Sequence, residues 1–194
     1  MIELGSCAFR QPGATHSHCS KLHGYQLKAK FWFSGSELDQ NNWMVDFGGL
    51  KELKALLQNQ FDHTVVVCAQ DPLLHLFKQL HEAGGCELRI MEQGVGIERT
   101  AEYCFNLADK YIRESTQGRC WVDKVEVFEH ELNSATYSSE SVQATNLAIP
   151  LQVESSTVAE QTVLPVTRST GQPASVGNIT TSGKGDWFAG TTWA

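Results

Sequence analysis

Residues 15–33, THSHCSKLHGYQLKAKFWF, place His16, His18, Cys19 and His23 close together and then run straight into a strand. From Tyr25 onward, Leu27, Ala29, Phe31 and Phe33 fall on one face while Gln26, Lys28 and Lys30 fall on the other, the period of two that a half-buried β-strand requires. This stretch decides the fold class, because such a strand needs partners. IELGSCAFR before it reads as its antiparallel neighbour, with residues 12–20 as the loop between them. The polar cluster at the head of the strand admits three readings: a metal site, a thiol active site, or a polar turn.

Downstream, Asp46 offers a side-chain cap to FGGLKELKALLQNQF, where Leu50, Leu53, Leu56, Leu57 and Phe61 recur at helical spacing, and a helix is expected over residues 48–60. DPLLHLFKQLHEAGG reads as a second helix, with Asp71 as cap, Pro72 at the first helical position and Gly84 past the end. CELRIME reads as a strand, TAEYCFNLADKYIRES as a third helix opening at or just before Thr100, and CWVDKVEVFEHE as a closing strand. That order predicts an α+β domain with helices grouped on one side of an antiparallel sheet, not a doubly wound α/β fold.

In the closing strand Glu129 is in phase with Val125 and Val127. A carboxylate on that face is paired, awaits a ligand, or stands where the strand end is already exposed, because an unpaired buried charge is costly. Cys104, among apolar neighbours in AEYCFNLA, reads as a small core residue. His75 and His81 read as surface or packing residues of the second helix.

At 194 residues the chain holds one full domain plus an appendage. A formal charge of -7 with scattered Lys and Arg leaves no basic field for a nucleic-acid backbone. No apolar stretch approaches the roughly 20 residues of a membrane span, and MIELGSCAFRQPG turns polar too early for a secretory leader. The expectation is a soluble cytoplasmic protein with six reduced cysteines, since their irregular spacing is unlike a disulfide scaffold. From about Ser138 the sequence turns rich in Ser, Thr, Val and Gly and poor in charge, ending in Trp187, Phe188 and Trp193. Residues 138–194 therefore read as an extended arm ordered by packing on a neighbouring subunit or another protein.

Five segments in register, CSKLHGYQ, WMVDFGGLK, FDHTVV, TAEYCFNLA and VEVFEHE, resemble the 6-pyruvoyl-tetrahydropterin synthase and 6-carboxy-tetrahydropterin synthase family over residues 2–137. The resemblance implies a T-fold, a four-stranded antiparallel sheet with helices on one side. Subunits of that family close into a barrel as a homo-oligomer, commonly two stacked trimers, with active sites between subunits. It implies a lyase acting on the pterin 7,8-dihydroneopterin triphosphate. There a zinc ion held by three histidines polarises side-chain oxygens while a cysteine thiolate moves protons.

Carried over by residue, the resemblance makes Cys19 the proton-transfer cysteine, and Asp62 and His63 the pair that tunes it, the carboxylate fixing the imidazole tautomer. Glu129 becomes the carboxylate that anchors the pterin ring, and Thr100 and Glu102 line the pocket. The zinc set departs from the family pattern. Phe9 and Tyr25 stand at two of its histidine positions, and only His23 remains of the three. Either His16 and His18 substitute from the loop, with Cys19 as a thiolate ligand, or the zinc is gone and His16 and His18 belong to a solvated loop. Two functions follow: a divergent synthase, or a T-fold pseudoenzyme that serves a larger assembly through its C-terminal arm.

Overall fold

The computed structural model describes residues 1–140, so the arm beyond them lies outside the described residues. The chain forms β1 (Ile2–Phe9), β2 (His23–Gly35), α1 (Leu50–Phe61), β3 (Thr64–Cys68), α2 (Leu74–Glu82), β4 (Glu87–Met91), α3 (Ile97–Ser115), β5 (Cys120–His130) and β6 (Asn133–Ser138). The fold is α+β, and its strands make one six-stranded sheet in the order β4-β3-β1-β2-β5-β6.

This corrects the expected four-stranded antiparallel sheet. The β1-β2-β5-β6 portion is antiparallel, but β3 runs parallel to β1 and β4 parallel to β3, so the whole sheet is mixed. Two strands had no clean signal. β3 is the five-residue run TVVVC, whose apolar side chains do not alternate with polar ones, and β6 is the polar edge segment NSATYS.

The alternation of β2 does what it predicts. Leu27 and Ala29 are buried in the core, and Phe31 and Phe33 stack on one another in the same row with centroids 6.2 Å apart. One core joins Leu4, Leu27, Leu53, Leu57, Phe61, Cys104, Ala108, Ile112, Val125 and Val127. Burying each of its large side chains contributes roughly 1.5–3 kcal/mol.

The helix signals hold with small displacements. Asp46 accepts a hydrogen bond from the Gly48 amide, 2.8 Å, but caps a short 3-10 turn at Phe47–Gly49 that precedes α1. Asp71 accepts from the Leu73 amide, 2.8 Å, and α2 proper starts at Leu74 instead of at Pro72. α3 begins at Ile97, three residues ahead of Thr100. Both Asp residues organise the turn that feeds the helix, so the true first turn lies a few residues downstream of the sequence cue.

Candidate functional site

The head of β2, the end of β5 and the loop between β1 and β2 converge at one end of the sheet. Pairing in β1–β2 sets Phe9 opposite His23 and Cys7 opposite Tyr25. Phe9 is buried, and its ring lies edge-on to His23 at 4.9 Å between centroids. Tyr25 completes the group, 5.6 Å from His23 and 6.2 Å from Phe9. His130, from the end of β5, sits 6.2 Å from Tyr25.

Glu129 belongs to this cluster. It is partly buried, in phase with the buried Val125 and Val127, and falls where the β5–β6 register shifts between Phe128 and His130. Such an irregularity re-aims a side chain at a strand end. Burial pushes its carboxyl pKa up, the nearby Glu98 adds to the rise, and His23, His130 and a hydrogen bond with Asn133 act against it. The Tyr25 hydroxyl is also pushed up, first by burial and then by the charges of Glu129 and Cys19. Cys19, His23, Tyr25, Glu98, Glu129 and His130 thus share one electrostatic neighbourhood.

Cys19 stands in a single 3-10 turn, His18–Ser20, whose start is capped by Ser17 Oγ accepting from the Cys19 amide at 3.2 Å. The Cys19 carbonyl accepts from the Gln11 amide at 2.7 Å, which ties the loop back to the end of β1. His16 and His18 are exposed on this loop. At the β1 end, Arg10 reaches the buried Asp71, Nε to Oδ2 3.3 Å, and pins the loop to the β3–α2 connection.

Asp62 and His63 form their pair elsewhere. His63 Nδ1 donates to Asp62 Oδ1 at 2.8 Å, and the same oxygen accepts from the Ser6 amide at 3.2 Å. His63 has a left-handed backbone, φ 56°, directly after α1, a position usually given to glycine and strained for histidine by on the order of 1 kcal/mol. Its side chain is 84% exposed. It is anchored at Ser6, whereas Cys19 is anchored at Gln11. Ser6 lies inside β1 and Gln11 just beyond its end, so the two side chains are tied to different points of the chain.

Thr100 is buried with its hydroxyl donating to the Gly96 carbonyl at 3.0 Å, so it faces the helix interior. Glu102 pairs with Arg99 Nη1 at 2.5 Å and lies within electrostatic reach of Tyr137. It is Glu98, one turn earlier on α3, whose charge reaches Glu129. Glu98, His130 and Asn133 went unnoticed in the sequence. His130 directly follows Glu129 and was legible as a neighbour, whereas Glu98 needed the true start of α3.

Three-histidine zinc ligation does not fit these residues. Phe9 has no donor atom, Tyr25 offers only a phenol, and among the described residues no three His, Cys, Asp or Glu side chains are arranged to hold a metal ion.

Comparison with known proteins agrees with this architecture. A protein of Archaeoglobus fulgidus named as a candidate 6-carboxy-5,6,7,8-tetrahydropterin synthase is 31% identical over 85 residues, 41% of this chain and 71% of that one. An uncharacterized protein of Wolinella succinogenes superposes with a TM-score of 0.56 at 18% identity, covering 70% of this chain and 93% of the other. The 6-pyruvoyltetrahydropterin synthase of Plasmodium vivax gives a TM-score of 0.51 at 18% identity, covering 69% and 89%. The structural likenesses establish the T-fold. The family model for 6-pyruvoyl tetrahydropterin synthase matches residues 6–140, and the chain belongs to that family.

Proposed function

We propose that this chain binds a pterin with Glu129 as the anchor of the ring. The observation that carries the reading is the placement of Glu129: partly buried at the end of β5, beside the rings of His23, Tyr25 and His130. An ionised carboxylate there accepts two parallel hydrogen bonds from a ring N–H and its exocyclic amine, a charge-assisted bidentate pair. The rings supply apolar faces for a planar heterocycle.

Family membership suggests a lyase reaction on 7,8-dihydroneopterin triphosphate, with Cys19 as the proton carrier. The partner pair Asp62–His63 then comes from a neighbouring subunit in a homo-oligomer, a trimer or hexamer. The exposure of His63, and its attachment at Ser6 while Cys19 is attached at Gln11, support that arrangement. A turnover assay on dihydroneopterin triphosphate tests it, with release of triphosphate or of a two-carbon fragment as the readout.

A second reading is favoured by the Phe9, His23 and Tyr25 rings: a pterin-binding pseudoenzyme that serves as a component of a larger assembly. Pterin binding without turnover selects this reading. Turnover that disappears in Cys19→Ser selects the first.

A further inference from the structure

The three rings at the head of the β1–β2 pair hold a shape without the matching chemistry. Phe9 and His23 are cross-strand partners and Tyr25 is two residues along the same face of β2, giving centroid separations of 4.9, 5.6 and 6.2 Å. Three imidazoles on one tetrahedral zinc, each nitrogen about 2.0–2.1 Å from the ion, have ring centres roughly 5 Å apart. The strand pair therefore presents three side chains at the spacing of a three-histidine centre. Only one of the three is a donor of that kind. His23 Nδ1 lies 2.7 Å from the Lys21 carbonyl and must carry the proton of that bond, leaving Nε2 free.

The loop does not make up the deficit. His16 and His18 point to solvent, and they form no set of three ligands with Cys19 or His23. Phe9 is buried beside His23 and Tyr25, which puts carbon at the position that a third ligand needs. We infer that this site works without a bound zinc ion: the cradle is retained as an aromatic floor against which the ligand packs, and Glu129 alone supplies the anchoring charge. The inference rests on the pterin-binding reading only for the identity of the ligand.

The same geometry has a converse. Phe9→His together with Tyr25→His places imidazoles at all three ring positions and is expected to create a zinc site. The test uses the full chain purified without chelator, then equilibrated with zinc sulfate and desalted, with bound metal read by mass spectrometry. Cobalt(II) uptake is followed in parallel through the visible bands of a tetrahedral ion. Wild type is expected to retain no stoichiometric zinc and to give no cobalt bands, and the double variant to take up one equivalent of either.

One zinc per wild-type chain that disappears in His23→Ala overturns the inference. Zinc that persists in His23→Ala lies elsewhere, and the triad stands as metal-free. A folded double variant that takes up no metal contradicts the cradle geometry. Sepiapterin affinity measured in the same preparations with and without EDTA separates the two claims. Unchanged affinity supports both, loss of affinity with EDTA overturns this one, and absence of any sepiapterin binding removes the pterin reading while the zinc result still decides the metal question.

Discussion

Arg10 and Asp71 make the most deeply buried ion pair among the described residues, with Arg10 Nε 3.3 Å from an Asp71 carboxylate that is fully inaccessible. The two atoms are close but off the line of a good hydrogen bond, and neither has another partner. Arg10 follows Phe9, so this pair fixes where the β1–β2 loop leaves the sheet. Removing one partner strands the other charge in the interior, and Asp71→Ala is expected to cost about 3–5 kcal/mol in chemical denaturation. The apolar replacement Arg10→Met with Asp71→Leu should lose far less. A single-site loss below the double-site loss contradicts the assignment.

Gly5 stands where no side chain fits. Its φ is +107°, and a Cβ there would come 2.1 Å from Asp62 Oδ1. Gly5→Ala should therefore displace the Asp62–His63 pair and destabilise the fold by on the order of 1–3 kcal/mol. Loss of the Ser6 amide's hydrogen bond is visible as a shift of its NMR resonance. Unchanged stability and an unmoved Ser6 resonance would refute this.

Glu129 predicts a pH-dependent stability. Its folded-state pKa is raised, chiefly by burial, so the native protein holds that proton more tightly than the unfolded chain. The associated stability is fully present below the unfolded value of about 4.3 and is lost as pH rises through the folded value. Glu129→Gln removes a desolvated charge and should melt higher than wild type near neutral pH. The difference should vanish on acidification. A variant that melts lower than wild type at neutral pH indicates that Glu129 is stabilised by its partners instead.

The cysteines should divide by environment. Burial pushes the Cys7 thiol up to about 11 and the Cys104 thiol further still, while Cys19 is only partly buried. Brief iodoacetamide treatment followed by peptide mass mapping should label Cys19 ahead of Cys7, Cys104 and Cys120. Labelling of Cys104 before Cys19 would undo both the core and the site assignments.

β1, β2, β4, β5 and the three helices were legible, β2 through its clean period of two and each helix through its apolar stripe. β3 and β6 were not: an unbroken apolar pentamer and a polar edge hexamer look alike whether they pair or not until the sheet order is known. The grouping of Cys19, His23 and Glu129 followed from motif order. The different attachment of Cys19 and His63 did not, since it depends on which residue in or after β1 each is tied to. The share of Glu98 in the site was hidden by the start of α3, where Gly96 at φ +122° opens the helix with no side-chain cap to mark it.

Whether Glu129 holds a pterin is decided by calorimetric titration of wild type and Glu129→Gln with sepiapterin. Glutamine keeps the shape but offers one acceptor and no charge in place of a bidentate carboxylate. Wild type should bind measurably, with affinity at least about tenfold weaker in the variant, on the order of 1.4 kcal/mol, and weaker in wild type on acidification as Glu129 takes up its proton. Equal affinity in the two proteins, or no binding by a folded wild type, contradicts it.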